Sequence, residues 1–349
     1  MQDKLNTERA DWTPPREWQR ITTIDAHTGG EPFRVIVAGF PELVGDTILA
    51  RRRDAKERFD HLRKALMWEP RGHADMYGCI LMPPMTKGAD TAVLFIHNEG
   101  YSTMCGHGII GLVVVLLETG MVLRKSPETV VKIDTPAGLV TAHARVSDGR
   151  IKSVYFHNVP SFVLSLDEEV EVSGLGRIRY DLAFGGAFYA YVKAAQVGLS
   201  CAPQDFRRLI ETGMAIKRAV MESRSVTHPF EADLSFLYGT IFTGPAQSPD
   251  AHSRNVCIFA DGEVDRSPTG TGVSGRLAIH YARGEISRGQ PIVIESIIGS
   301  RFTCRAAATT TFGPYPAIIP EVEGTAYITG RHEFLIDPHD ELREGFILR

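Results

Sequence analysis

Apolar residues along this chain fall mostly into short β-branched runs broken by glycine, proline and aspartate. The runs at 33–38, 91–97, 130–133 and 291–298 predict strands. Residues 46–68 are rich in arginine, leucine and alanine and end ahead of Pro70, which predicts a helix. Residues 203–224, opening at Ala202-Pro203, predict another. Two shorter apolar helices are expected to start near Gly108 and Gly272. Strands dominate and do not alternate strictly with helices, so the expected fold class is α+β. Residues 1–19 are polar, contain Pro14 and Pro15, and lack periodicity, which reads as a flexible tail.

The pattern repeats. Asp25-Ala26-His27-Thr28-Gly29-Gly30 precedes one alternating run, and Asp181-Leu182-Ala183-Phe184-Gly185-Gly186 precedes another 156 positions on. Cys105-Gly106-His107-Gly108-Ile109-Ile110-Gly111 is answered 164 positions later by Thr269-Gly270-Thr271-Gly272-Val273-Ser274-Gly275. Ile133-Asp134, with Gly138 after it, matches Ile294-Glu295, with Gly299 after it, at an offset of 161. Three matches in one order at nearly one offset indicate a duplicated half-molecule. The expected organisation is a tail over 1–19, an N-terminal lobe over 20–155 with the Cys105 loop, and a C-terminal lobe over 156–349 with the Thr269 loop. The last strands are free to cross back to the first lobe. Two similar lobes would bring the glycine loops together across a cleft.

Composition narrows the function. At 349 residues and 43% hydrophobic, the chain has ample material for a core, and its length suits about two domains. With 38 basic and 42 acidic residues, it has no basic excess for nucleic acid or an anionic membrane. The longest apolar stretch, 112–117, is far too short to span a bilayer. The N-terminus lacks the apolar core of a secretory signal. Cys79, Cys105, Cys201, Cys257 and Cys304 are scattered without a CxxC pair, which argues against a disulfide scaffold or zinc ribbon and for a reducing cytoplasm. The 12 histidines show no HExxH-type spacing, so no metal is expected.

The glycine loops carry the candidate chemistry. One reading is a dinucleotide fingerprint, with Asp134 as the acidic residue beyond the loop. Its repetition in both halves, and a cysteine where a buried strand should end, count against that reading. The alternative is a pair of helix starts whose bare amides and dipoles clamp a carboxylate. The same field is expected to depress the pKa of Cys105. A cysteine base beside a carboxylate clamp is the apparatus for proton abstraction α to that carboxylate, and it needs no cofactor.

At these residues a resemblance becomes specific. Met104-Cys105-Gly106-His107-Gly108 and 265–272, Asp-Arg-Ser-Pro-Thr-Gly-Thr-Gly, resemble the paired signatures of the proline racemase family. Residues 24–32, 71–78 and 330–338 resemble further motifs of it, so the likeness covers the chain from about residue 20. It implies two pseudo-symmetric lobes of diaminopimelate-epimerase-like type. Each would be a mainly antiparallel sheet or barrel around a central helix, with the active site in the cleft. It implies Cys105 as proton acceptor, Gly106 and His107 on the substrate, Asp265 on the ring nitrogen, and Gly270 and Thr271 completing the clamp. Asp25, His27 and Asp75 would support the site. Family members are often dimers, but no stretch of this sequence argues for an interface by itself.

Thr269 departs from the racemase pattern, which has a cysteine in both loops. A hydroxyl is too weak an acid to exchange protons as a thiol does. Family members with threonine or serine there resemble trans-3-hydroxy-L-proline dehydratases, so the expected activity is cofactor-independent loss of water from that imino acid to give Δ1-pyrroline-2-carboxylate. The alternatives are a proline racemase or 4-hydroxyproline epimerase, and, from another class, a non-catalytic imino-acid binder or a nicotinamide enzyme.

Overall fold

The computed structural model describes residues 12–348. Of the expected tail, residues 1–11 lie outside the described residues. From Trp12 onward the chain is engaged: Trp12 packs edge-on against Trp18, and Gln19 already pairs with Ile336.

The first half runs β1 (Gln19–Thr28), β2 (Glu31–Ala38), α1 (Ile48–Arg58), α2 (Asp60–Met67), β3 (Tyr77–Met82), β4 (Thr91–His97), β5 (Gly100–Ser102), α3 (Gly106–Glu118), β6 (Glu128–Thr135), β7 (Gly138–Ser147) and β8 (Arg150–His157). After β9 (Ser161–Val172), the second half repeats that order. It runs β10 (Gly176–Phe184), β11 (Phe188–Lys193), α4 (Phe206–Ser223), β12 (Leu237–Gly244), β13 (Ser253–Phe259), β14 (Glu263–Val264), α5 (Gly270–Ala282), β15 (Ile292–Glu295), β16 (Arg301–Phe312) and β17 (Tyr315–Gly324), and β18 (Ala326–Ile336) closes the chain.

The duplication holds pair by pair. β1–β2 and β10–β11 are antiparallel hairpins, and both Gly-Gly repeats form their turns. β2–β3 and β11–β12 are parallel, across outer helices. β4–β6 and β13–β15 are parallel, across the inner helices α3 and α5. The third repeat also has a shared purpose. Asp134 accepts the amides of Met85 and Thr86, both at 2.8 Å, and Glu295 accepts those of Gln247 and Ser248 at 2.8 and 3.0 Å. Each carboxylate ties down the loop that enters the neighbouring strand. Asp134 is therefore engaged and not free for a ribose, and the glycine loops sit in a largely antiparallel sheet, so the dinucleotide alternative lacks its setting.

Strand exchange joins the lobes. The expected boundary after residue 155 falls inside β8; the chain crosses at Asn158-Val159-Pro160, and β9 pairs with β10. β18 returns to pair with β1, and β17 pairs with both β8 and β9, so among the described residues all 18 strands form one network.

α3 is buried from Gly106 to Leu117 and α5 from Gly270 to Ile279, each enclosed mainly by the strands of its own lobe. Both have 13 residues and both start two residues earlier than expected: Cys105 caps α3 through its Sγ, whereas Thr269 precedes α5 without a side-chain cap bond. The expected helix over 46–68 is two helices broken at Phe59, whose φ of −129° leaves the helical region and whose ring packs edge-on against Phe40. The strand expected over 291–298 stops at Glu295, where Ser296 begins a turn closed by the Gly299 amide.

Candidate active site

The two inner helices meet end to end. A Cβ on Gly106 would lie 2.6 Å from Gly270 Cα, and a Cβ on Gly270 would lie 2.6 Å from Gly106 Cα. Only glycine permits this approach. The first amides of each helix lie outside the hydrogen-bond ladder. The first bonds back to the caps are Ile109 N to Cys105 O and Val273 N to Thr269 O. The amides of Gly106, His107, Gly270, Thr271 and Gly272 thus precede both ladders and sit at the positive ends of two facing dipoles.

Around this contact the structure brings together the seven residues expected to take part in catalysis or to hold the substrate. Cys105, Gly106, His107, Asp265, Thr269, Gly270 and Thr271 line one small cavity of about 20 Å³. Tyr77, Met104, Tyr189, Tyr238 and Phe259 complete its wall. Among the five cysteines, only Cys105 lines it.

Cys105 follows β5, and its Sγ accepts the Gly108 amide at 3.2 Å. The His107 ring lies 3.3 Å from Sγ at Nδ1, and Nδ1 is 3.7 Å from Asp265 Oδ2. Thr28 Oγ1 fixes the backbone here by donating to His107 O at 2.8 Å. Burial pushes the Cys105 thiol pKa up, although His107 and the Gly108 amide pull it down. The depression expected from the helix start alone is therefore outweighed by enclosure. Burial also disfavours charge on His107, but Cys105 and Asp265 prevail and push its pKa up to about 10.

The opposite helix start is built differently. Asp265 Oδ1 accepts the Ser267 amide at 2.7 Å, and Ser267 Oγ accepts the Thr269 amide at 3.1 Å. This tight loop holds Thr269 at φ 67°, an unfavourable region for a β-branched residue. The Thr269 hydroxyl is buried and no hydrogen bond of ordinary geometry satisfies it. It approaches the Cys257 thiol, whose pKa burial raises strongly. Thr271 Oγ1 is 2.8 Å from Tyr189 OH. Burial raises the pKa values of Tyr77, Tyr189 and Tyr238 well above the ordinary phenol, so all three remain neutral.

The first lobe also grips the loop that carries Asp265. Glu31 Oε2 accepts the Arg266 amide at 2.6 Å, and Asp75 Oδ2 lies 2.8 Å from Arg266 Nη1. Glu31 is fully buried, and burial with the nearby Asp265 charge raises its pKa well above the carboxylate range. Asp75 thus supports the site through Arg266. Asp25 instead pairs with Arg34 at 2.8 Å, and His27 Nδ1 accepts the Gly30 amide at 3.2 Å. Sequence reasoning missed the tyrosines and Glu31; Tyr77 and Glu31 lay in motifs already noted, whereas nothing local marks Tyr238. Among the described residues, no group of three His, Cys, Asp or Glu side chains could hold a metal ion.

Two facing lobes, each wrapped around a helix whose start enters a shared cavity, define the diaminopimelate-epimerase-like fold. A PhzF-family phenazine biosynthesis protein of Bacillus anthracis shares it at a TM-score of 0.57 with 14% identity, over 91% of this chain and 99% of that one. The chain belongs to the proline racemase family, whose profile, described as Proline racemase, matches residues 23–347. A trans-3-hydroxy-L-proline dehydratase of Colwellia psychrerythraea is 49% identical, covering 97% of this chain and 96% of that protein. A 3-hydroxyproline 2-epimerase of Burkholderia multivorans is 45% identical, covering 94% and 98%. The crystal structure of a hydroxyproline epimerase from Agrobacterium vitis with bound trans-4-hydroxy-L-proline superposes at a TM-score of 0.90 with 36% identity, over 96% of each chain.

Proposed function

We propose that this protein dehydrates trans-3-hydroxy-L-proline without a cofactor, with Cys105 as its acid–base group. The observation that carries the reading is the unequal pair of helix starts: one thiol, Cys105, and one hydroxyl, Thr269, in a cavity that no other cysteine lines. Inversion of an α-carbon needs an acid–base group on each face, whereas elimination needs one.

The substrate carboxylate sits against the paired helix starts at Gly106, His107, Gly270 and Thr271. Asp265 faces the ring ammonium. The Cys105 thiolate, paired with the His107 imidazolium, takes the C2 proton, and charge flowing towards the carboxylate is stabilised by the amides and dipoles. The C3–O bond then breaks. In the trans isomer, the C2 hydrogen and the 3-hydroxyl share one ring face, so the thiol returns its proton to the departing oxygen and water leaves. The enamine formed between C2 and C3 tautomerises to Δ1-pyrroline-2-carboxylate. Thr269 lies at the second acid–base position and offers its unsatisfied hydroxyl to the substrate. A cavity of about 20 Å³ has room for about one water, so the cavity must widen to admit the ring.

The test is incubation with trans-3-hydroxy-L-proline, proline and 4-hydroxyproline, with no cofactor added and after dialysis against EDTA. Formation of Δ1-pyrroline-2-carboxylate from the first substrate alone is expected. Efficient inversion of 3- or 4-hydroxyproline in place of dehydration would give the epimerase reading first place, which the 45% identical 3-hydroxyproline 2-epimerase keeps in view.

A further inference from the structure

The two inner helices are equivalent at their starts but not further along. In α3, Leu112, Val115 and Leu116 are 0, 0 and 2% exposed and belong to the hydrophobic core. The corresponding residues of α5, 164 positions on, are Arg276, Ile279 and His280. A guanidinium thus stands in the second lobe where the first lobe is closed by leucine.

Arg276 is 8% exposed. Its Nη1 donates to Asn255 Oδ1 at 2.5 Å and to Arg254 O at 3.3 Å. Among the described residues, no acceptor is recorded for its Nε or Nη2, and no carboxylate comes within ion-pair distance. Burying a guanidinium without a direct ion-pair partner is costly, and here burial lowers its pKa to about 10 despite the opposing charge of Glu285. Arg276 lines a cavity of about 440 Å³ at the far end of α5 from Thr269, a size that suits a small-molecule ligand.

The charges around this cavity are unequally used. Arg283 is neutralised by Asp181 at 2.7 Å and Asp167 at 3.1 Å. Glu285 pairs with His280, and Arg179 with Glu169 at 3.6 Å. Arg276 and Lys193 line the cavity with no carboxylate in ion-pair contact among the described residues. The lining as a whole is mixed in sign, with Asp167, Asp181 and Glu285 beside the cations, which disfavours a polyanion and suits a compact one.

We propose that this cavity binds a small oxyanion, a carboxylate or phosphate group, on Arg276 and Lys193, at a site separate from the one between the helix starts. The inference does not depend on the proposed dehydration. The experiment titrates the full-length protein with inorganic phosphate and, separately, with malonate, against potassium chloride at matched ionic strength, and follows thermal unfolding and calorimetric binding. Saturable binding of at least one oxyanion is expected, and the tighter of the two identifies the group recognised. Arg276→Leu, which installs the residue of the first lobe, should weaken that binding at least tenfold. Lys193 is exposed, so Lys193→Ala retains the fold in case Arg276→Leu does not, and it should weaken binding severalfold. Stabilisation no greater than that of chloride overturns the proposal. So does equal binding by wild type and both variants, which is the result if the anion sits only at the helix starts.

Discussion

Gly106→Ala tests whether contact between the helix starts builds the site. The new Cβ would stand 2.6 Å from Gly270 Cα and 3.1 Å from Gly270 C, both backbone atoms that cannot rotate away. Carbon atoms rest at about 3.5–4.0 Å, so the helices must part by about 1 Å. Overpacking of this kind costs about 1–3 kcal/mol. Alanine returns up to about 1 kcal/mol through its lower backbone entropy and better helix propensity, so the net loss of stability should be small. Activity should fall much further, because an error of about 1 Å in a positioned site costs on the order of a hundredfold. Gly270→Ala should behave alike, since its Cβ meets Gly106 Cα at the same 2.6 Å. The double variant should cost less than the two singles together, because the first opening relieves the second. The assay is kcat/KM for trans-3-hydroxy-L-proline beside the thermal midpoint, with Gly100→Ala as control, where a Cβ meets nothing within 4 Å. A Gly106→Ala enzyme with kcat/KM within about threefold of wild type would refute the claim that this abutment sets catalytic geometry.

Cys105→Ser should abolish turnover, and iodoacetamide should inactivate wild type with protection by pyrrole-2-carboxylate; full activity in the serine variant would remove the thiol from the mechanism. Thr269→Cys places a second thiol at the opposing helix start and removes β-branching at φ 67°, so it should gain C2 hydrogen exchange and inversion of 4-hydroxyproline, followed by proton NMR in heavy water. With wild type, kcat/KM should rise with pH as the raised Cys105 thiol ionises; His107→Gln removes the imidazolium that favours the thiolate and should move that rise to higher pH. Asp134→Ala leaves two backbone amides without their acceptor and should lower stability by about 2 kcal/mol. Its folded pKa is lowered, first against burial and then by the Thr86 and Met85 bonds, so the wild-type contribution is present above about pH 4 and fades as pH falls through the folded value; the variant's loss should vanish in acid unfolding curves.

Local patterning read the strands well where one face or both were apolar, and β4 matches residues 91–97 end for end. It read less well where a tertiary contact decided the outcome. Residues 46–68 carry one compositional pattern, yet Phe59 breaks the helix to pack against Phe40. Ile297 and Ile298 look like strand, but the Ser296–Gly299 turn takes them out of it. The candidate site was legible because the chain states it twice, and the two statements mark the facing helix starts. Tyr189 and Tyr238 reach the cavity from β11 and β12 through sheet order alone, which no local window encodes. The rise in the thiol pKa was equally hidden, because it arises from enclosure and not from the residues beside Cys105.

Duplication made two equivalent frames, and the chemistry lies in where they differ. At the carboxylates that tie the loops, Asp134 and Glu295, the halves kept one function with different side-chain lengths. At the helix starts they diverged into Cys105 and Thr269, and along the helix axis into Leu112 and Arg276. Divergence at the shared cavity demands that the lobes hold register closely, and Glu31 shows how this is done without disturbing the charges. It reaches across to the Arg266 amide, one residue from Asp265, and burial raises its pKa, which favours the uncharged form there. That form adds no second negative charge beside Asp265, which faces the His107 ring at 3.7 Å. An ionised side chain in that place would compete for the same imidazolium and pull it from the Cys105 thiolate. The interface that positions the site thus joins a carboxyl biased towards its neutral form, Glu31, to an ion pair, Asp75 with Arg266, on the residue that follows Asp265.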